Sequence, residues 1–137
     1  MAIAFSSLSL PPETTVASRK RALQQICDAM TSQPFFVAGT NRLDTILMEV
    51  TGGRLVAKLG SESVYCVGLK NSGMALCLKI EDGGYRALAP AVIQALVKLG
   101  WLTEEEVSRI RSKIRLTITN HRGEAIGSLD ASAAFYK

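Results

Sequence analysis

The sequence predicts an α+β fold, an antiparallel sheet flanked by helices, on three observations. Apolar residues recur at helical spacing in the first third, three short strand-like runs separated by turn signals fill the middle, and helical spacing resumes from Leu88. Helices, then consecutive strands, then helices is the order of an α+β chain rather than of alternating parallel units. The 137 residues are 47% hydrophobic and 20% charged, which predicts one globular domain over 1–137. At that length a chain buries about two-thirds of its unfolded surface, enough for a core without disulfides or a metal.

The opening Met1-Ala-Ile-Ala-Phe-Ser-Ser-Leu-Ser-Leu10 is apolar but short and has no basic start, so it predicts neither an export signal nor an anchor. Pro11-Pro12-Glu13 breaks it. Leu23, Ile26, Cys27 and Met30 follow at the i, i+3, i+4, i+7 spacing of one helical face, which predicts a helix packed on a core. After a turn at Ser32-Gln33-Pro34, the run from Phe35 through Gly39 to Arg42 leads into a second helix, Leu43 to Val50, stopped by Gly52-Gly53.

Leu55 to Lys58, Ser63 to Leu69 and Met74 to Ile80 then read as consecutive strands. Lys70-Asn71-Ser72-Gly73 suits the hairpin between the last two. In the third strand, Met74, Leu76, Leu78 and Ile80 alternate toward the core, with Ala75, Cys77 and Lys79 on the other face. Asp82-Gly83-Gly84 ends the sheet run. Leu88, Val92, Leu96 and Leu99 stripe the next helix, whose first turn tolerates Pro90; Gly100 closes it and Trp101 packs. Thr103-Glu104-Glu105-Glu106 is a capping box, so its glutamates read as caps rather than catalysts, with Val107, Ile110 and Ile114 inward. Leu116 to Thr119 and Ala125 to Leu129 predict a final hairpin around Asn120-His121-Arg122-Gly123, added antiparallel to the sheet. The tail, 131–137, is expected to be loose.

Several classes of function find no support. The net charge of +4 is concentrated at Arg19-Lys20-Arg21 and at Arg109, Arg111, Lys113 and Arg115. No aromatic residues interleave with these charges, and both clusters lie on amphipathic helical patterns, so they read as solvated faces rather than nucleic-acid contacts. No stretch approaches a membrane span. Cys27, Cys66 and Cys77 are odd in number and set in apolar patterns, as reduced core residues of a cytoplasmic protein are. His121 is the sole histidine and no cysteine pair has ligand spacing, which predicts no metal, no cofactor and no histidine-based triad.

The chemistry-bearing stretch is Gly53-Arg-Leu-Val-Ala-Lys58-Leu-Gly60-Ser-Glu62. A short apolar strand delivers one lysine and then a glycine to a turn. Val56 and Ala57 point to opposite faces of the strand, so the backbone of Lys58 is held, and Gly60 lets a substrate or another backbone come close. Two readings stand for Lys58: a surface lysine before a turn, and a positioned cation.

Beside this stretch stand Ala29-Met30 with Pro34, Val37-Ala38-Gly39-Thr40 with Arg42 and Asp44-Thr45, Leu47-Met48, and Leu78-Lys-Ile-Glu-Asp82-Gly83 with Arg86-Ala87. In this ordered set the chain resembles the C-terminal half of the bacterial L-asparaginase II family, the Rhizobium-type asparaginases, and not the threonine-nucleophile asparaginases. The resemblance implies part of a serine β-lactamase-like or penicillin-binding-protein-like fold, in which a lysine-bearing strand borders the active site and a Ser-x-x-Lys motif supplies the nucleophile. Lys58-Leu59-Gly60 matches that strand. By the resemblance Lys58 is catalytic, holding positive charge near the substrate carboxylate or the developing oxyanion. Gly60 and Glu62 shape the adjacent turn, and Arg42 with Asp44 make an ion pair near the site. Asp82 and Arg86 tie a sheet end to the next helix.

The chain departs from the pattern in holding no Ser-x-x-Lys. Ser18-Arg-Lys-Arg21 ends in arginine on the polar side of a helix and reads as structural. The family's N-terminal half, with its nucleophile and cysteine-rich metal-binding motif, has no counterpart here. The expectation is an asparaginase II family protein or fragment acting on a small-molecule amide, inactive alone because nucleophile and base act as a unit. It predicts either an N-terminal-half partner docked on an exposed apolar surface or a homodimer. The alternative is a non-catalytic relic serving as a small-ligand or protein-interaction module.

Overall fold

The structure, a computed structural model, describes residues 1–132. In chain order it contains α1 (Ala2–Ser9), α2 (Ala17–Ser32), α3 (Pro34–Ala38), α4 (Leu43–Val50), β1 (Leu55–Leu59), a 3₁₀ turn (Ser61–Ser63), β2 (Val64–Leu69), β3 (Met74–Lys79), α5 (Leu88–Lys98), α6 (Glu104–Lys113), β4 (Thr117–Thr119) and β5 (Ala125–Ser128). This is the expected α+β arrangement. β1, β2 and β3 form an antiparallel sheet in that order, with Ala57 opposite Val67 and Val67 opposite Leu76.

The sheet is covered on both faces, which explains a pattern that strict alternation does not anticipate: adjacent Val56 and Ala57 are both fully buried. One set of side chains, Leu55, Ala57, Tyr65 and Val67, with Leu76, Leu78 and Ile80 at its margin, packs on Leu47, Val92, Leu96 and Ile110 from α4, α5 and α6. The other face puts Val56 against Leu8 of α1 and Cys27 of α2, with Phe5, Leu23 and Met30 around them. Trp101 is buried in the larger cluster, as expected.

The opening segment, read only as an apolar stretch, is a helix because it has something to cover. α1 lies across β2 and β3, where Ser6 donates to the Gly73 carbonyl (2.5 Å) and the Asn71 N–H donates to Ser9 O (2.9 Å). Gly68 makes this approach possible, since a Cβ there would stand 3.0 Å from Phe5 O and 3.1 Å from both Ser9 Cβ and Val56 Cγ1. Gly68→Ala is therefore expected to cost about 1–3 kcal/mol in urea unfolding by forcing α1 off the sheet.

Other expectations need correction. Ile26 is 51% exposed, because the buried stripe of α2 narrows to Cys27 with Leu23 and Met30 beside it. The turn at Ser32-Gln33-Pro34 runs straight into α3, with Pro34 at its first position, where the missing N–H costs nothing. Met74, expected to face the core, is half exposed, and Cys77 is exposed. β4 and β5 form a separate two-stranded sheet rather than extending the first. Every residue of β5 is exposed, Ile126 included at 65%, and only Ile118 and Thr119 of β4 are partly buried. Of the tail expected to be loose, Ala131 and Ser132 lie outside any element and 133–137 lie outside the described residues.

The capping box of α6 forms as expected: Thr103 Oγ1 accepts from the Glu106 N–H and Glu106 accepts from the Thr103 N–H. Arg54 completes it, donating to both Glu106 oxygens at 2.8 Å and to Trp101 O at 2.9 Å, and so ties the approach to β1 onto the start of α6. Burial by itself raises the Glu106 pKa, but the Thr103 N–H and the Arg54 guanidinium outweigh it and hold the carboxyl below its usual value. A depressed carboxyl stabilises the fold above its unfolded pKa and loses that contribution as pH falls through the folded one. Glu106→Gln is therefore expected to lower stability by about 1 kcal/mol at neutral pH. The deficit should shrink as the pH drops below about 4 in urea melts; a deficit independent of pH would mean the ion pair contributes nothing.

Candidate functional site

The end of β1 is where the sequence-derived residues gather. Lys58 lies on the same face as Val56, the face that α1 covers at Gly68, but one alternation further along, where Lys58 and Cys77 are both exposed. Lys58 stands opposite Cys66, and Cys66 opposite Cys77, in one row across three strands. The Lys58 ammonium donates to its neighbour's carbonyl, Leu59 O, at 2.7 Å. Its backbone is thus fixed by the ladder, and its exposed ammonium rests on that carbonyl.

Asp44 is placed differently from expectation. Among the described residues it makes no ion pair with Arg42. Arg42 precedes α4 and is exposed, whereas Asp44, in the first turn of α4, is 1% exposed. The Asp44 carboxylate turns inward, because the Leu59 N–H faces away from β2, and Oδ1 of Asp44 accepts from it. A carboxylate thus satisfies the open edge of β1 that another strand would otherwise pair. Among the described residues its Oδ2 has no hydrogen-bond partner, nor has the buried hydroxyl of Tyr65. Burial, reinforced by the negative charge of Asp44, pushes the Tyr65 phenol well above its usual pKa and keeps it neutral. Arg42 and Asp44 do line one cleft of about 220 Å³ with Leu59, Tyr85, Leu88 and Ile114.

Gly60 is not required by crowding. Its backbone is extended (φ −106°), and a Cβ would meet Val64 at 3.5 to 3.9 Å, ordinary contact. The sharpness of the turn comes from the two residues after Ser61, Glu62 and Ser63, which hold left-handed φ of 56° and 52°. Two consecutive non-glycine residues in that region are costly and persist only where surrounding contacts hold them. Those contacts are visible: Ser63 Oγ donates to Gly83 O at 2.8 Å and the Ile80 N–H donates to Ser63 O at 3.2 Å. The Glu62 carboxylate sits over Gly83, where a Cβ would be 2.6 Å from Oε2 and φ is +70°. Glu62 and Ser63 thus lie against the corner at 80–84. Sequence reasoning missed Ser63 and Gly83 as partners in this corner; the left-handed turn carries no glycine where one would signal it.

Asp82 accepts from the Gly84 N–H at 2.8 Å, closing that corner. Asp82 and Arg86 also line a second cleft of about 370 Å³ with Pro90, Ala91, Leu129 and Asp130. Lys58 lines neither cleft. Ser18 is exposed in the first turn of α2, and His121 is exposed in the β4–β5 turn. Among the described residues no three His, Cys, Asp or Glu side chains are placed to hold a metal. No described helix is long and apolar enough to cross a membrane.

Chemically, the corner offers an exposed cation on a rigid strand and a buried carboxylate behind it. It offers no hydroxyl bonded to that cation among the described residues. The family model described as L-asparaginase II matches residues 1–131, and no curated protein matches the chain.

Proposed function

We propose, since this chain belongs to the L-asparaginase II family, that it is the lysine-bearing part of an L-asparagine amidohydrolase and does not hydrolyse amides by itself. The observation that carries this reading is Lys58, exposed in the fourth position of a five-residue strand whose first three side chains are buried. The reaction converts asparagine and water to aspartate and ammonia. Lys58 supplies a preorganised positive charge to the oxyanion that develops at the attacked carbonyl, or to the substrate carboxylate, and such a charge acts most strongly once water is excluded. Asp44 fixes the edge of the strand, and Glu62 with Ser63 fixes the turn beyond it, so Lys58 approaches the substrate from a defined place.

The attacking nucleophile comes from a second polypeptide segment that bears the Ser-x-x-Lys pair, which these 137 residues do not contain. Docking of that segment over the open row at Lys58 would also provide the missing exclusion of water. Exposed apolar side chains support such a partner. Phe35 and Phe36 are 53% and 82% exposed, with their rings edge to face at 5.6 Å. Reduced cysteines suit a cytoplasmic setting for this chemistry.

The test is ammonia release from L-asparagine by the purified chain, with L-glutamine as comparison and Lys58→Ala as control. The expected result is no release above the control. Release that Lys58→Ala abolishes would mean that a complete site forms within or between copies of this chain, and the proposal of an external nucleophile would fall.

A further inference from the structure

The row that carries Lys58 contains a second chemical feature, independent of amide hydrolysis. Cys66 and Cys77 are directly opposite in neighbouring antiparallel strands, and the Cys66 thiol donates to Cys77 Sγ at 3.4 Å. Their place in the ladder is determined by the bonds around them. The Ile80 N–H bonds to Ser63 O, so Ser63 and Ile80, next after the Val64–Lys79 pair, form a hydrogen-bonded pair. Antiparallel pairs alternate, so Val64–Lys79 is non-hydrogen-bonded, Tyr65–Leu78 hydrogen-bonded and Cys66–Cys77 non-hydrogen-bonded. The other side of β2 agrees. The Lys70 N–H bonds to Arg54 O, and counting inward from there makes Lys58–Cys66 a hydrogen-bonded pair, so the backbone of Cys66 faces β1 and not β3. Non-hydrogen-bonded positions bring Cα atoms to about 4.5 Å with side chains close together, within the range of about 4.4–6.8 Å that a disulfide spans.

We propose that Cys66 and Cys77 are a thiol modification site that forms an intramolecular disulfide by exchange with a low-molecular-weight disulfide of the glutathione class, and reopens with excess thiol. Cys77 is the entry, because it is exposed while Cys66 is buried. The Cys77 thiolate attacks one sulfur of the glutathione disulfide; that S–S bond breaks, and the first glutathione leaves, taking up the proton that Cys77 gave. Cys66 then gives up its proton and attacks the Cys77 sulfur, the mixed disulfide breaks, and the second glutathione leaves with that proton. Two protein thiols are oxidised and one glutathione disulfide is reduced to two thiols. Burial, together with the hydrogen bond to Cys77, pushes the Cys66 thiol up to about 12, so Cys66 acts second, where its fixed position opposite the mixed disulfide offsets a low thiolate fraction.

Cys27 is the internal control. It is buried on the inner face of α2 against Leu8 of α1 and Val56 of β1, and burial raises its pKa above the usual thiol value. Because the hairpin already closes the short loop between Cys66 and Cys77, the bond adds little loop-closure stabilisation, and the readout is chemical rather than thermal.

The experiment incubates the folded, reduced chain with oxidised glutathione, alkylates remaining thiols and reads intact mass and peptide maps. The expected product carries no glutathione, joins the Cys66 and Cys77 peptides with the loss of two hydrogens, leaves only Cys27 to be alkylated and reverts with dithiothreitol. Cys66→Ala is expected to trap glutathione on Cys77, and Cys77→Ala to remain unreacted. A glutathione adduct persisting on Cys77 of the wild-type chain, a bridge involving Cys27, or no reaction at all would overturn the proposal. The wild-type result decides it whether or not the Cys66 variant folds, and it stands whether or not the chain takes part in amide hydrolysis.

Discussion

Lys58→Met is expected to lower asparagine hydrolysis about 10²–10³-fold in any assembly in which this chain completes an active site, the loss typical of removing one preorganised group from a developing oxyanion. Methionine keeps the length of the stem and deletes the charge. The side chain is exposed and bonds only to Leu59 O, so stability should stay within about 0.5 kcal/mol of the parent. The way the loss divides assigns the role. A fall in kcat with KM unchanged places the ammonium on the oxyanion, while a rise in KM with kcat unchanged places it on the substrate carboxylate. Unchanged kcat and KM would return Lys58 to an ordinary surface lysine.

The largest effect on folding is expected from Leu47→Ala. Leu47 is completely buried in α4, in the cluster that contains Leu55 and Ala57 of β1. Truncation there leaves a cavity and should cost about 2–5 kcal/mol in urea unfolding. The same helix carries Asp44, whose carboxylate meets the Leu59 N–H, so amide exchange at Leu59 should rise with the destabilisation. A cost under about 1 kcal/mol would mean that α4 collapses onto the sheet and the edge of β1 is held by something else.

Most of the architecture could be read from the residues because local signals agreed with one another. Leu43 to Val50 is a helix with the predicted bounds, and Thr103 with Glu106 makes the reciprocal cap that its spacing announces. The three central strands pair as consecutive antiparallel neighbours. What was not legible depends on long-range packing. α1 is a helix because it lies over Gly68, and no property of Ala2 to Ser9 alone reveals that partner. β4 and β5 look like two further strands of the sheet until the burial of each face is known.

The candidate site divides in the same way. Lys58 could be singled out because an apolar run ends on it. The role of Asp44 could not be read, since a carboxylate in a helix's first turn ordinarily serves its own helix, and here it reaches a strand edge at Leu59. The left-handed Glu62 and Ser63 were equally hidden, being held by Gly83 from another part of the chain.

The most direct test of the central claim is to mix this chain with a separately produced N-terminal half of an L-asparaginase II family protein and to follow ammonia release from L-asparagine. Release that appears only on mixing, and disappears when this chain carries Lys58→Met, is the expected result. A mixture in which the two halves bind each other and release no ammonia, or in which the Lys58→Met chain serves as well as the parent, would contradict it.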